Sequence, residues 1–286
     1  MKAIAKKRIN RSAGGDAAIF TLLLLAGLFM VIPMIFIVSN AFKPLDELWM
    51  YPPRFFVRNP TFKNFRDLSI AVSTSWVPFS RYVFNTVFVS VTGTAGHVLI
   101  ASMCAYPLAK YRFPFRNMIF STIIIALMFN PAVTTIPNYL ILSRIGLVNN
   151  PFGLLLPAFA MPMGLYLMKQ FMEQMVPDSL LEAAKIDGAK EGIVFFRIVM
   201  PIVKPAWLTL ILFSFQGLWG IANSNIIYSE QLKTLQYALN SIKDSGLARA
   251  GAYSAGALLM LAVPVTLFLI TQSNILETMS TSGMKG

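Results

Sequence analysis

Charged residues are scarce in this chain. They make up 13% of its 286 residues, while 56% of the residues are hydrophobic; a soluble globular domain carries about 25% charged residues. The mean hydropathy is +0.64. This composition argues against a soluble enzyme and against a disordered chain. It also argues against a nucleic-acid-binding protein, although the formal net charge is +12, because basic charge here matters through its position along the chain.

Cysteine, histidine and catalytic motifs are almost absent as well. Cys104 is the single cysteine and His97 the single histidine. One cysteine forms no intramolecular disulfide, so cysteine usage does not reveal the compartment. The sequence contains no Walker-type phosphate loop and no HExxH, GxSxG or CxxC motif. We therefore expect no enzyme activity, no metal site and no cofactor bound by this chain.

The charged residues lie between six windows that contain none. These windows are Ala17–Phe42, Tyr82–Ala109, Asn117–Ser143, Ile145–Met168, Pro205–Ser229 and Ala250–Leu276. A helix needs about 20 apolar residues to cross about 30 Å of hydrocarbon, and each window is long enough. Backbone polar groups in lipid must be satisfied within the segment, so the spans are helices. We predict an all-α membrane protein with six transmembrane helices.

Basic residues indicate how these helices are oriented. Lysine and arginine are grouped before the first window, at 110–116 and at 169–204. Such residues near short loops favour the cytoplasmic side. The pattern predicts a multi-pass protein with both termini in the cytoplasm and with the loops 43–81 and 230–249 outside. The first window is much longer than the apolar region of a signal peptide, so we expect it to form a transmembrane helix.

Two features of the predicted outside and intramembrane segments leave alternatives open. The loop 43–81 is rich in aromatic residues, including Trp49, Tyr51 and Trp76, which suits either an aromatic belt at the membrane surface or a docking surface for an external partner. His97 lies inside a window, where an ionisable residue is a functional candidate. A neutral histidine also packs between helices.

The stretch 130–151 is uncharged yet rich in proline and asparagine. It predicts a third span that continues about two turns past Phe129, followed by irregular backbone. Irregular backbone at membrane depth faces protein or a water-filled cavity rather than lipid. Uncharged polar side chains in spans either hold helices together or line a pathway for a polar solute. The candidates for a pathway are Asn85, Asn130, Asn138, Tyr139, Gln216, Asn223 and Asn225.

The loop 169–204 carries five acidic and five basic side chains and a local helix signature. Ser179 and Glu182 have the spacing of a capping box, which predicts a helix start. The residues Leu180, Leu181, Ala184 and Ile186 would give this helix one apolar side. Gly188 suits the position after a helix end, and a second helix would stop before Pro201. The pattern predicts a protruding helix–turn–helix that fits the groove of a partner.

These residues also carry a family resemblance. Glu182-Ala183-Ala184, then Gly188 and then Ile198-Val199-Met200-Pro201 resemble the EAA motif E-A-A-x3-G-x9-I-x-L-P of binding-protein-dependent ABC importers, with Met200 in place of leucine. Four further stretches are similar to sugar permeases of the maltose permease type. They are the segments 104–114, 137–140, 146–154 and the closing Gly283-Met284-Lys285-Gly286. The resemblance covers about residues 10–286.

The resemblance implies a type-1 ABC importer transmembrane domain with cytoplasmic coupling helices. Residues 1–81 would hold the N-terminal tail, the first helix and an external loop, and residues 82–286 the transmembrane core with its EAA loop at 177–205. The residues implied in coupling to an ATPase are Glu182, Ala183, Ala184, Asp187, Gly188, Ile198 and Pro201. Glu182 either pairs with a basic residue of that ATPase or only closes the capping box, and both roles can coexist.

The resemblance also implies partners and a function. The partners are a second homologous permease subunit, two ATP-binding subunits that hold ATP and Mg²⁺, and an extracytoplasmic solute-binding protein. The expected function is ATP-driven import of a sugar by alternating access across a bacterial or archaeal cytoplasmic membrane. Alternatives are the same importer acting on glycerol phosphate or a peptide, and an ATP-independent secondary transporter. Residues 220–225 depart from the family pattern, so the sugar is not identified.

Overall fold

The computed structural model describes residues 13–73, 77–222 and 225–282, and within these ranges it contains helices and no strands. The basic N-terminal residues, Trp76, Asn223 and the closing 283–286 segment lie outside them. The helices are α1 Ala13–Phe42, α2 Leu45–Leu48, α3 Lys63–Ser73, α4 Phe79–Lys110, α5 Arg116–Met128, α6 Pro131–Arg144, α7 Phe152–Phe159, α8 Pro162–Met175, α9 Asp178–Ile186, α10 Glu191–Ile202, α11 Lys204–Trp219, α12 Leu235–Asp244 and α13 Ala250–Ser282.

Among the described residues, four segments are long and apolar enough to cross a membrane as single helices. They are Gly14–Phe42, Phe79–Lys110, Phe152–Met175 and Leu247–Gln272. Two further pairs pass the same criteria together but are bent, α5 with α6 by 114° and α10 with α11 by 80°. The all-α fold is confirmed, and the six predicted spans are reached when each bent pair counts as one.

The first bend corrects the prediction for the third span. That span ends at Met128 instead of continuing past Phe129, and a new helix, α6, replaces the irregular backbone. Pro131 lacks an N–H and disfavours helical geometry in the residue before it. Asn130 accordingly adopts an extended conformation, and its Oδ1 accepts a hydrogen bond from the Ala132 N–H at 2.9 Å. Asparagine is a favoured helix start, so the break and the restart share one local cause.

The fifth window also differs from its prediction. Helix α11 ends at Trp219, and the described residues between Gly220 and Ser229 form a loop. Gly220 is the C-cap, and its N–H donates to the Gln216 carbonyl at 3.3 Å. The absence of charge over 205–229 therefore marked an apolar environment that includes a loop as well as a helix.

Helix α4 lies at the centre of the core and packs against α7, α8 and α11. His97 is buried on α4, and its Nδ1 lies 3.4 Å from the Phe159 carbonyl. A Cβ atom at Gly164 would lie 2.1 Å from His97 Nε2, so only glycine permits this crossing of α4 and α8. These contacts favour a packing role for His97.

Helix α1 has a different environment from the core. No residue of its most apolar stretch is buried within the chain, and burial begins only near its end, at Ser39 and Ala41. A contiguous apolar surface of this size is rare on a soluble monomer. The helix is therefore covered by lipid or by another subunit, as a membrane span requires.

The segment that follows α1 is folded on itself by buried polar groups. Lys43 Nζ donates to Asn40 Oδ1 at 2.8 Å and to the Arg54 carbonyl. The carboxylate of Glu47 accepts from the Arg58 N–H at 2.8 Å. Aromatic side chains remain exposed here, among them Trp49 and Tyr51. Exposed rings suit the membrane surface and an external partner equally, so both alternatives stand.

Candidate functional site

The 177–205 loop forms two helices joined by a tight turn. Helix α9 begins at Asp178, and its N-cap is Pro177, which is extended at φ −68° and ψ 138°. The predicted capping box is therefore wrong. An N-cap residue must be non-helical, whereas Ser179 already lies inside the first turn. Glu182 is exposed and does not close a box.

The turn after α9 agrees with the sequence prediction for Gly188. This residue has φ +73°, a left-handed conformation that costs glycine little. Its N–H donates to the Lys185 carbonyl at 3.0 Å, and the Ala189 N–H donates to the Ala184 carbonyl at 3.0 Å. This pair of bonds is a Schellman motif. The motif ends α9 and turns the chain into α10 within a few residues.

Helix α10 does not stop before Pro201, which corrects the second prediction for this loop. Its middle, Val194–Val199, is a π-helical turn, and the Met200 N–H donates to the Phe195 carbonyl five residues earlier. In a regular helix, proline clashes with the carbonyl four residues back. The wider π-helical turn shifts the backbone hydrogen bonds and so accommodates Pro201. The helix continues to Ile202 and bends at Val203 into α11.

The two faces of α9 differ from the single apolar side that the sequence predicted. Leu181 and Ala184 are buried in the core of this chain. Ile186 points the other way and is 86% exposed. A large apolar side chain at the tip of a charged loop is a typical anchor for a partner groove. Ile186 is not among the residues that the family resemblance implies in coupling. The sequence feature that could have identified it is an isoleucine at the last position of a helix in a charged loop.

The residues implied in coupling therefore fall into three groups. Glu182, Ala183, Asp187 and Gly188 share the exposed tip with Ile186. Ala184 is buried and holds α9 against the core. Ile198 is half-buried and Pro201 is exposed, and both lie on α10.

Ion pairs fix the base of this loop. The Glu173 carboxylate near the end of α8 accepts from Arg116 Nη2 at 2.9 Å and from Lys169 Nζ at 2.7 Å. Arg116 Nε also donates to the Leu108 carbonyl at 2.8 Å. These bonds join the start of α5, the end of α4 and the end of α8. The loop therefore projects from a fixed base.

Three of the seven pathway candidates line one cavity. This cavity has a volume of about 250 Å³ and lies where α6, α7 and α11 meet the loop after α11. Asn138 and Tyr139 reach it from α6, and Asn225 from the loop. Its lining residues carry no charge: Thr134, Thr135, Asn138, Tyr139, Gly153, Leu154, Pro157, Ala158, Met161, Leu218, Ile221, Asn225 and Ile226. Amide, hydroxyl and apolar groups suit a neutral polar solute.

Three other pathway candidates, Asn85, Asn130 and Gln216, do not line this cavity. Asn85 is buried, and its Nδ2 donates to the carbonyls of Gln231 and Lys233 at 2.8 and 2.9 Å. Asn130 caps α6. Gln216 is exposed on α11, and Asn223 lies outside the described residues.

Comparisons with known proteins agree with this architecture. The diacetylchitobiose uptake system permease protein NgcG of Streptomyces coelicolor is 30% identical over 201 residues, which cover 70% of this chain and 64% of that protein. The galactooligosaccharides transport system permease protein GanQ of Bacillus subtilis is 27% identical over 275 residues, which cover 94% of this chain and 95% of that protein.

A solved structure shows the same fold. It is a crystal structure of a bacterial ABC transporter involved in the import of the acidic polysaccharide alginate, with a TM-score of 0.76 and 20% identity, covering 93% of this chain and 99% of that chain. A family model described as binding-protein-dependent transport system inner membrane component matches residues 97–278. The chain belongs to this family of inner membrane transport components, which includes the permease subunits of ABC importers.

Proposed function

We propose that this chain is a permease subunit of an ATP-driven importer that moves a sugar or oligosaccharide across a bacterial or archaeal cytoplasmic membrane. The observation that carries the proposal is the tip of α9. There an exposed Ile186 and an exposed Glu182 stand on a helix whose Leu181 and Ala184 are fixed in the core. A rigid knob with one apolar anchor and adjacent charge fits a groove on a partner subunit.

The partner at this knob is an ATP-binding subunit, which holds the ATP and Mg²⁺. The permease binds no cofactor of its own. Closure of two such subunits around ATP moves the coupling loops and switches the helix bundle from inward-open to outward-open. A full swing from 1:99 to 99:1 needs about 5.5 kcal/mol of differential binding. In this arrangement the 177–205 loop and both termini lie in the cytoplasm.

The solute follows a pathway shared with a second, homologous permease subunit. An extracytoplasmic binding protein delivers the solute to the loops 43–81 and 230–249. The two relatives are named for the uptake of diacetylchitobiose and the transport of galactooligosaccharides. The cavity is lined by uncharged polar and apolar residues. Hydroxyl groups of a sugar find donors and acceptors there, whereas a phosphate would require cationic partners.

Purification of the tagged chain from its host in mild detergent tests the proposal. We expect recovery of an ATPase with a phosphate loop and of a second permease. In Ile186→Asp the ATPase is expected to be lost while the second permease is retained, because a charge replaces the apolar anchor. Tyr51→Asp is the matched control, since Tyr51 is an exposed aromatic residue in the 43–81 loop.

The solute is tested separately in proteoliposomes that contain the purified complex. ATP-dependent uptake of a labelled oligosaccharide in the presence of the binding protein supports the proposal. Uptake of glycerol phosphate or a peptide instead would keep the importer and replace the solute. Uptake without any ATPase would contradict the importer itself.

A further inference from the structure

We infer that the end of α4 transmits movement of the two coupling helices, α9 and α10, to the rest of the helix bundle, with Lys110 and Tyr111 as positioning residues. The contacts of Lys110 and Tyr111 with α9 and α10 are called the joint below. The two residues are adjacent in the chain. Lys110 holds the first residue of α9, and Tyr111 holds the first residue of α10. One dipeptide at the end of the central helix thus contacts the starts of both coupling helices.

The first contact is made by a buried lysine. The Lys110 side chain is 5% exposed, and its Nζ donates to the Asp178 carboxylate at 2.8 Å and to the Val176 carbonyl at 2.6 Å. Val176 is the C-cap of α8, and Asp178 is the first residue of α9. The Lys110 ammonium therefore binds a carbonyl at the C-terminal, partly negative end of α8 and a carboxylate at the start of α9. This arrangement fixes α9 to α4 and to α8 at once.

The second contact is a cluster around Glu191. One carboxylate oxygen, Oε2, accepts a short hydrogen bond from the Tyr111 hydroxyl and a longer one, at 3.4 Å, from the Tyr106 hydroxyl. The other oxygen, Oε1, lies 3.7 Å from Lys185 Nζ, which also stands 4.8 Å above the Tyr111 ring. Lys185 belongs to α9, so the cluster joins α4, α9 and α10 through one carboxylate.

The position of these contacts on α4 explains why they matter for transport. Tyr106 packs on Phe195 of the π-helical turn, so α4 and α10 also share apolar contact there. Farther along, the same helix α4 packs against α7 and α11, two of the helices that line the cavity. A displacement of the coupling helices therefore reaches the cavity helices through α4, provided that the joint holds.

This inference rests on the proposed function, and it predicts a specific defect. Removing a joint contact leaves the exposed tip that binds the ATPase intact. ATP hydrolysis then continues while less of the movement reaches the bundle, so fewer solute molecules cross per ATP. Loss of one hydrogen bond to an exposed carboxylate changes an equilibrium several-fold at most, and a fall of that size in the ratio of solute to ATP is expected for each single variant.

The test compares Tyr111→Phe, Asp178→Asn and the double variant in proteoliposomes that contain the full complex and its binding protein. Solute uptake and ATP hydrolysis are measured on the same vesicles. Each single variant should lower the ratio of solute to ATP several-fold, and the double variant should lower it by about tenfold. Tyr166→Phe is the matched control, because Tyr166 stacks on Phe120 away from the coupling helices.

The possible outcomes separate a joint from a merely structural role. A lower ratio with normal recovery of the ATPase supports the joint. An unchanged ratio in the assembled double variant overturns it, and if that variant does not assemble, an unchanged ratio in Tyr111→Phe overturns it. A wild-type complex without ATP-dependent uptake would instead disprove the proposed function.

Discussion

The two ends of α4 are attached to the rest of the chain by contacts that differ in exposure. At the N-terminal end, the buried Asn85 donates to the carbonyls of Gln231 and Lys233, and the buried Tyr82 donates its hydroxyl to the Glu230 carboxylate at 2.7 Å. At the C-terminal end, Lys110 donates to Asp178 and Tyr111 donates to Glu191. The side chains of these two carboxylates are 77% and 57% exposed, respectively.

This difference predicts that the two ends contribute unequally to the free energy of unfolding. Few water molecules can replace a buried donor such as the Asn85 amide, so the N-terminal contacts contribute strongly to stability. Exposed carboxylates are rehydrated when their partners are removed, so the C-terminal contacts contribute less. We therefore expect the C-terminal contacts to matter more for the transmission of movement than for stability.

The largest expected effect is at the N-terminal end, in Asn85→Leu. The substitution removes the side-chain donor from the Lys233 carbonyl and one of two donors from the Gln231 carbonyl, which keeps Arg81 Nε at 3.2 Å, and should cost about 1–3 kcal/mol. We expect a clear fall in the Tm of the purified protein in detergent. Asn138→Leu is the control, because Asn138 is exposed in the cavity. Equal Tm values for the two variants would show that the buried contacts do not stabilise this end.

Thr86→Val should have the next largest effect. The Thr86 hydroxyl accepts a hydrogen bond from the buried Leu235 N–H at 2.8 Å, at the start of α12. Valine keeps the shape and removes the acceptor, which should cost about 1–2 kcal/mol. Thr92→Val, at a half-buried position of the same helix where the hydroxyl donates to the Phe88 carbonyl of that helix, should leave Tm almost unchanged. A similar fall in both variants would point to helix propensity instead of the lost bond.

Tyr111→Phe should affect stability less, although it also deletes a hydrogen bond. The carboxylate it contacts is more than half exposed, so water replaces the phenol and the loss stays below about 1 kcal/mol. Thermal unfolding of Tyr111→Phe beside Thr86→Val measures the contrast between the two ends directly. If Tyr111→Phe lowered Tm as much as Thr86→Val, the contacts at the two ends of α4 would contribute equally to stability.

The smallest expected effect is that of pH on the C-terminal contacts. The hydrogen bond from Lys110 lowers the pKa of the Asp178 carboxyl. The stability that this contact contributes is therefore fully present at pH values above the usual aspartate pKa, and it is lost as the pH falls through the lower pKa of the folded state. Burial, together with the bond to Glu191, raises the pKa of the Tyr111 hydroxyl. The stability that the Tyr111 contact contributes is fully present at pH values below the usual tyrosine pKa and is lost only as the pH rises above it.

Neither contact should therefore change between about pH 5 and about pH 9. The measurement is the Tm difference between the wild type and the Tyr111→Phe, Asp178→Asn double variant across that range. A constant difference is expected. A difference that disappears within the range would show that another titrating group controls the joint.

Local motifs explain why some elements were predictable. The Schellman turn at Gly188 depends on residues within one helix end, so the position of glycine was enough to predict it. The capping box failed because Pro177 starts the helix two residues earlier than Ser179 would. Pro201 failed as a stop signal because a π-helical turn, which has no clear sequence signature, accommodates it.

The roles of the polar pathway candidates could not be predicted from the sequence. Asn85, Asn138 and Asn225 are the same residue type in charge-free windows, and nothing local distinguishes them. Asn85 binds a carbonyl 146 residues away, whereas Asn138 and Asn225 line a cavity. Which of these roles a polar side chain takes depends on what the packing places beside it.

The sequence by itself determined that this chain is an α-helical membrane protein with six apolar windows and one EAA loop. Segregation of charge and short spacings encode these features, since each depends on neighbouring residues in the chain. Tertiary structure alone decided the outward side chain of Ile186 and the paired contacts of Lys110 and Tyr111. These depend on segments far apart in the chain, whose meeting is set by the packing of helices around α4.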